Sequence, residues 1–262
     1  MESWRHGQSY EPYVGRWSRL VARRFVEWLG VAEGARWIDV GCGTGALTGT
    51  VLGLARPASI LGVDASEGFV GFARQTIVDG RACFEVADAR ALPTGGAPYD
   101  AAVSGLVLNF IPEPREMVAE MARVVRPGGT VAVYVWDYAG EMQLMRRFWD
   151  AASALDPKAA ELDEGRRFPI CRPDALADAW RRCELDHVES RSIDVTTSFR
   201  DFDDYWQPFL GGQGPAPGYV ASLDVARRDA LRERLRSTLP RTPEGGIELV
   251  ARAWAVRGTK RA

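Results

Sequence analysis

The sequence predicts an α/β fold in which a mostly parallel sheet is covered by helices on both faces. Two observations predict it. Between residues 36 and 136, short apolar runs suited to buried strands alternate with longer segments of helical periodicity. The first run, in "WIDVGCGTGAL" (residues 37–47), leads into a glycine-rich turn that opens a helix. At such strand–turn–helix junctions the glycines let the backbone turn tightly and approach a ligand.

The elements follow in order. "MESWRHGQSYEP" is polar, carries a proline and reads as an extended arm. A helix begins at Arg16, with Trp17, Leu20, Val21, Phe25, Trp28 and Leu29 on one face, and Gly30 ends it. "RWIDV" is a strand and "GALTGTVLGLA" a helix. "SILGVD" is a strand, followed by the helix "SEGFVGFARQTIV" with Ser66 as its N-cap. "ACFEVA" is a strand, "DARALPTGGAP" a loop and "YDAAVSGL" a strand. "PREMVAEMARVV" is a helix with Pro114 near its start, closed by Pro127-Gly128-Gly129 before the strand "TVAVYVW". Helices are expected at 141–155 and 173–182. "VESRSIDV" and "IELVARAWAVRG" alternate apolar and polar residues and read as antiparallel strands, with about fifty residues between them, far beyond the 2–5 of a usual hairpin loop.

Composition bounds the function. The chain has 262 residues, 46% hydrophobic and 26% charged, with a formal net charge of -2. That balance is ordinary for a globular protein and argues against a nucleic-acid partner. Cys42, Cys83, Cys171 and Cys183 form no C-x-x-C pair, so neither a disulfide framework nor a metal site is expected. No signal peptide or membrane span is read, and the cytoplasm is the expected location.

The glycine turn admits two cofactors. Gly41, Gly43 and Ala46 satisfy the dinucleotide fingerprint G-x-G-x-x-G/A, while Gly45 also makes the G-x-G-x-G of S-adenosylmethionine (SAM) enzymes. Asp39, two residues before the turn, would repel a pyrophosphate and attract the ammonium and sulfonium of SAM. Asp64, at the end of strand two, suits a ribose diol in either family. "VADARALP", at the end of strand three, is no part of the dinucleotide fingerprint.

Five segments, "WIDVGCGTGALT", "ILGVDAS", "VADARALP", "YDAAVSGLVLNFIPEP" and "VVRPGGTVAVYVW", occur in order across residues 37–136. On them the chain resembles the class I SAM-dependent methyltransferases of the small-molecule kind, close to the ubiquinone and menaquinone biosynthesis enzymes (methyltransferase type 11). The resemblance implies a Rossmann-like seven-stranded sheet of order 3-2-1-4-5-7-6, its seventh strand antiparallel; the roughly fifty residues between strands 6 and 7, where this fold often has a tight hairpin, are read as a cap insertion. It implies that Gly41, Cys42, Gly43 and Gly45 line the methionine part of SAM, with Asp39 holding the turn and the ammonium end. Asp64 would bind the ribose hydroxyls, with Ala65 and Ser66 beside the adenine. Asp88 and Ala89 would meet the adenine edge, and Ser104, Gly105 and Leu106 the methionine and the reacting methyl. SAH would be the product. Each acid or hydroxyl also has a plainer reading: Asp64 as a helix cap, Asp88 as a loop former, Ser104 as a strand terminus.

A single domain is expected, with an arm and helix (1–30), a cofactor-binding core (31–136) and a substrate-side half (137–262) whose insertion spans about 196–245. The acceptor is expected to be a small organic molecule, and the protein a monomer or homodimer. Methyl transfer needs alignment and exclusion of water more than a base, and neither His6 nor His187 recommends itself as one. Asn109, after strand four, is a candidate substrate contact. Tyr10, Tyr13, Arg16 and Trp17 from the N-terminus, Arg167 and Phe168 after strand five, and Tyr205, Trp206, Phe209 and Gln213 from the insertion are the others, because aromatic side chains with a few polar groups suit an organic ligand. Satellite core packing is the competing reading of these aromatics. The insertion is expected to fold back over the carboxyl edge of the sheet as a lid. The rival functions are a nicotinamide-dependent oxidoreductase and a SAM-binding protein without transferase activity.

Overall fold

The computed structural model describes residues 16–93, 96–211 and 214–261, the side chain of Arg16 excepted. Its sheet is built from β1 (Arg36–Val40), β2 (Ser59–Asp64), β3 (Ala82–Val86), β4 (Tyr99–Gly105), β5 (Val125–Trp136), β6 (Leu185–Phe199) and β7 (Ile247–Lys260). The strand order is β3-β2-β1-β4-β5-β7-β6. β1 to β5 pair in parallel, and β7 runs antiparallel to both β5 and β6. Fold class and strand order are those that the five motifs imply.

Period-two alternation sorts the sheet's side chains into two cores. Along β5, Ala132, Tyr134 and Trp136 join one core, and Val131, Val133 and Val135 the other. The first core lies under α1 (Arg16–Leu29), α2 (Ala46–Leu54) and a later helix described below. α3 (Glu67–Thr76) covers β2 and β3, with Ser66 accepting the Phe69 N–H at its start. The second core lies under α4 (Pro114–Val124), whose first residue is the proline that tolerates the missing donor there.

One boundary differs from the sequence reading. Pro127-Gly128-Gly129 does not precede β5 but bulges within it: Tyr99 pairs with Val125, yet Ala101 pairs with Thr130. Gly128, at φ +75°, provides the turn that an ordinary residue resists.

Beyond β5 come α5 (Gln143–Leu155), the single-turn α6 (Glu164–Arg167) and α7 (Pro173–Arg182), which packs on the second core. The segment between β6 and β7 forms α8 (Phe202–Trp206), α9 (Pro215–Ser222) and α10 (Val225–Thr238). Its apolar residues extend the first core over α5: Phe209 stacks on Phe148 with ring centroids 4.5 Å apart. Among the described residues no helix is long and apolar enough to cross a membrane, and all four cysteines are free thiols.

Candidate active site

β1 and β4 are adjacent, but the chain proceeds from them to opposite sides of the sheet. This switch in strand order leaves a crevice at their carboxyl ends. A cavity of about 270 Å³ lies there. Its floor is Asp39 from β1, the turn Gly41-Cys42-Gly43-Thr44, and Gly105-Leu106-Val107 from the end of β4, with Asp64 at one side.

Close approach dictates the glycines. Gly41, at φ +75°, lies where a Cβ would fall 2.6 and 2.7 Å from the Val107 methyls. Gly43 and Gly45 also hold left-handed conformations, φ +53° and +89°. Leu106 holds φ +64°, a strained state for a branched side chain; its N–H donates to the Tyr134 carbonyl at 2.8 Å.

The turn's amides are turned inward. Gly41 and Cys42 donate to the Val63 carbonyl at 2.7 and 2.9 Å, Gly43 to Asp64 Oδ2 at 3.0 Å, and Gly45 to the Cys42 carbonyl at 2.8 Å. A pyrophosphate at such a turn needs outward amides. Here those four are already bonded to the protein, and the described lining residues include two carboxylates at this end and no lysine or arginine.

Burial drives the Asp39 carboxyl up to about 7, against the lowering effect of the Thr48 hydroxyl and amide, and the nearby Asp64 adds to the rise. Burial also raises Asp64, partly offset by the N–H groups of Ser66 and Gly43. A carboxylate held under such strain gains from a bound cation. The Cys42 thiol is pushed well up by burial, which leaves it inert as a nucleophile.

Comparison with known proteins shows the family to which the chain belongs. A family model described as a methyltransferase domain matches residues 38–133. The chain is 28% identical over 243 residues to trans-aconitate 2-methyltransferase of Streptomyces avermitilis, covering 85% of this chain and 84% of that protein. It is 32% identical over 216 residues to 27-O-demethylrifamycin SV methyltransferase of Amycolatopsis mediterranei, covering 72% of this chain and 78% of that protein. The chain belongs to the class I SAM-dependent methyltransferases. The fold of this methyltransferase is shared with the YcgJ protein of Bacillus subtilis, at TM-score 0.60 and 15% identity, over 93% of this chain and 99% of that one.

The residues present fit SAM. A sulfonium amino acid joined to a ribose meets a turn that a Cβ would block, two carboxylates, and no phosphate-binding amide among the four described above.

The methyltransferase fold gathers some of the sequence-derived candidates and disperses others. Asp39, Gly41, Cys42, Gly43, Asp64, Gly105 and Leu106 all line the cavity, while Gly45 starts α2 just behind it. Ala65 is exposed, and Ser66 caps α3. Asp88 is exposed and paired with Arg90 at 2.8 Å, which holds its carboxyl down at about 2; Ala89 packs in the second core. Ser104 is fully buried, its hydroxyl without a hydrogen-bond partner among the described residues. Neither Asp88, Ala89 nor Ser104 is part of the cavity lining.

On the acceptor side, Tyr10, Tyr13, Gln213 and the Arg16 side chain lie outside the described residues. Trp17 packs edge-on against Phe199 in the core, 5.2 Å between centroids. Asn109 is buried in a 3-10 turn, its Nδ2 without a partner among the described residues, and does not line the cavity. Arg167 is exposed over the Phe168 ring; Phe168 stands behind the wall, 5.4 Å from Phe110 and 5.9 Å from Tyr138. Tyr205, Trp206 and Phe209 do not form the inner face of a lid. They are buried together, and the Tyr205 hydroxyl donates to the Leu144 carbonyl at 3.2 Å. The reason is their number: a cluster of large aromatics on one short segment gains more by burying one another against α5 than by facing a solvated cleft.

The cavity's other wall comes from residues the sequence reading passed over: Tyr134, Trp136 and Tyr138 around the end of β5, Met145 of α5, Glu164 of α6 and Pro215 of α9. The first two had a signal. They alternate at the carboxyl end of a central strand, on the face opposite Val133 and Val135, where ligands of such sheets bind. Glu164, Met145 and Pro215 had none, because only tertiary packing brings their segments to the crevice.

Proposed function

We propose that this methyltransferase transfers the methyl of SAM to a small organic acceptor bound against Trp136, Tyr138, Phe110, Met145 and Pro215. The observation that carries this reading is a single cavity with two unlike ends. One end is polar, with Asp39, Asp64 and the glycine turn; the other is largely aromatic and apolar. Bound SAM supplies a methyl group already activated by its sulfonium.

The chain's residues then have the following roles. Asp39 holds the ammonium end, and Asp64 the ribose hydroxyls while bracing the turn through Gly43. Gly41 allows close approach. Residues 31–136 form the cofactor-binding core, which also lends Phe110, Tyr134 and Trp136 to the acceptor wall, and residues 137–262 supply the rest of the acceptor side. The aromatic wall aligns the acceptor and excludes water, which is most of what an in-line displacement asks of a protein. The full-length relatives act, by their names, on trans-aconitate and on 27-O-demethylrifamycin SV, so membership of the family leaves the acceptor open. We place the enzyme in the cytoplasm, where SAM is made.

Calorimetric titration with SAH and with NAD tests the cofactor end: SAH binds and NAD does not. Methyl-labelled SAM with a panel of small phenols, acids and amines tests the acceptor end. Binding of NAD without SAH would overturn the reading.

A further inference from the structure

We propose that the Tyr134 hydroxyl oxygen meets the sulfonium methyl of bound SAM, a contact that the product SAH cannot make. This rests on the reading of the cavity as a SAM site.

Strand register fixes where this side chain can reach. Asp39 pairs with Val103, and Gly105 pairs with Tyr134. Paired residues of adjacent strands point to one face, and so do residues two apart along a strand. Asp39, Val103, Gly105 and Tyr134 therefore share one face, that of the first core, where the cavity opens. Along the end of β4, Val103 stands beside Asp39, and Val107 fills the place of a Cβ on Gly41. Gly105 lies between these two points. It sits at the level of the cavity floor where β4 meets both the buried acid and the glycine turn.

Tyr134 occupies that level. A Cβ on Gly105 would fall 2.5 Å from the Tyr134 Cζ and 2.8 Å from its Cε1, with Oη nearer still. Adjacent strands are about 4.8 Å apart, so the phenol does not stand above its own strand. It leans from β5 over β4, toward β1, and only a glycine leaves it room. The backbone beneath is paired on both sides, with Gly105 and with Ala255. The Leu106 N–H donates to the Tyr134 carbonyl at 2.8 Å, and the ring packs on Phe25 of α1 with centroids 4.8 Å apart. The side chain is 2% exposed and lines the cavity. Its hydroxyl is thus held at the seam between the polar and the aromatic ends.

The chemistry of the two ligands says what an oxygen there can do. A sulfonium draws charge from its methyl, whose hydrogens become weak donors to oxygen. A phenol is donor and acceptor at once. A bond from its proton to another protein group therefore leaves the oxygen's lone pairs open to the methyl. SAH has neither the methyl nor the charge, so the same oxygen gains nothing from it. The contact favours exchange of spent cofactor for fresh.

The test uses the full chain, SAM and SAH. Tyr134→Phe keeps the ring against Phe25 and Gly105 and removes only the oxygen. Calorimetry should show SAM binding weakened about three- to tenfold, the size of a weak hydrogen bond reinforced by charge. SAH binding should stay within about twofold, which also shows that the variant folds. SAM labelled with carbon-13 in its methyl gives a second readout by NMR. In the wild type its methyl protons should show a nuclear Overhauser effect to the Tyr134 ring protons, a measurement that needs no variant. They should also resonate downfield of their position in Tyr134→Phe, because the retained ring cancels ring-current differences. Equal weakening of SAM and SAH, no weakening of either, or no Overhauser effect in the wild type overturns the proposal. Failure of the wild type to bind either ligand overturns the cofactor reading, and the proposal with it.

Discussion

The Thr48 hydroxyl donates a 2.7 Å hydrogen bond to Asp39 Oδ2, and neither side chain reaches solvent. This contact ties the first turn of α2 to the end of β1 across the glycine turn. It also places an acid with a carboxyl raised to about 7 on the cavity floor.

The pH dependence of stability follows from that position. The unfolded chain ionises this residue near pH 4, while the native state keeps its proton to about 7. Over that interval the native state binds more protons, so stability falls as pH rises, and above about 7 the penalty is complete. The displacement corresponds to about 4 kcal/mol at most. Asp64 acts in the same direction, whereas Asp100, Glu120 and Asp194, all lowered by arginine or backbone partners, act oppositely. Asp39→Asn should therefore gain stability over wild type at pH 8 relative to pH 5, measured by urea unfolding, and should bind SAH more weakly. A variant destabilised equally at both pH values would show that Asp39 does not carry this penalty.

Asp64→Ala removes the acceptor of two backbone donors, Gly43 N–H at 3.0 Å and Ser66 N–H at 2.8 Å, together with the proposed partner of the ribose. Loss of a charge-assisted bond is worth about 1.5–3 kcal/mol, so SAH affinity should fall about ten- to a hundredfold. Calorimetry on the folded variant checks this, and unchanged affinity would reduce Asp64 to a brace for the turn.

Gly41→Ala should destabilise the protein through two separable causes. The left-handed backbone costs about 1–2 kcal/mol with a Cβ, and the collision with Val107 a further 1–3 kcal/mol. The double variant Gly41→Ala/Val107→Ala should recover stability relative to the sum of the single changes. Strict additivity in thermal unfolding would remove the steric part of the account.

Trp206→Ala should act on folding. The side chain is 5% exposed, stacks over Phe202 at 6.4 Å and does not line the cavity. Truncation of a buried tryptophan costs about 3–5 kcal/mol. Tyr205→Phe, which loses one hydrogen bond to Leu144, should cost about 1 kcal/mol. A Trp206→Ala protein of unchanged stability but impaired turnover would restore the lid.

The amino-acid sequence by itself determined the sheet, its order through the resemblance, and several of the residues that line the glycine-turn end of the cavity. Those features are written locally: apolar runs, a glycine turn, and acids such as Asp39 and Asp64 at strand ends, where geometry follows from a few neighbouring residues. The cofactor's identity, left open by the glycines, was legible in the five ordered motifs taken together. Only the tertiary structure decided the acceptor end. There Tyr134 and Trp136 were legible as strand-end residues, but Glu164 and Pro215 come from segments with no periodic signal, and Tyr205, Trp206 and Phe209 have the composition of a binding surface. Composition cannot tell a buried cluster from a ligand wall, because both reward aromatic area. What separates them is which neighbour each ring meets first, and that is settled by packing between elements far apart in the chain.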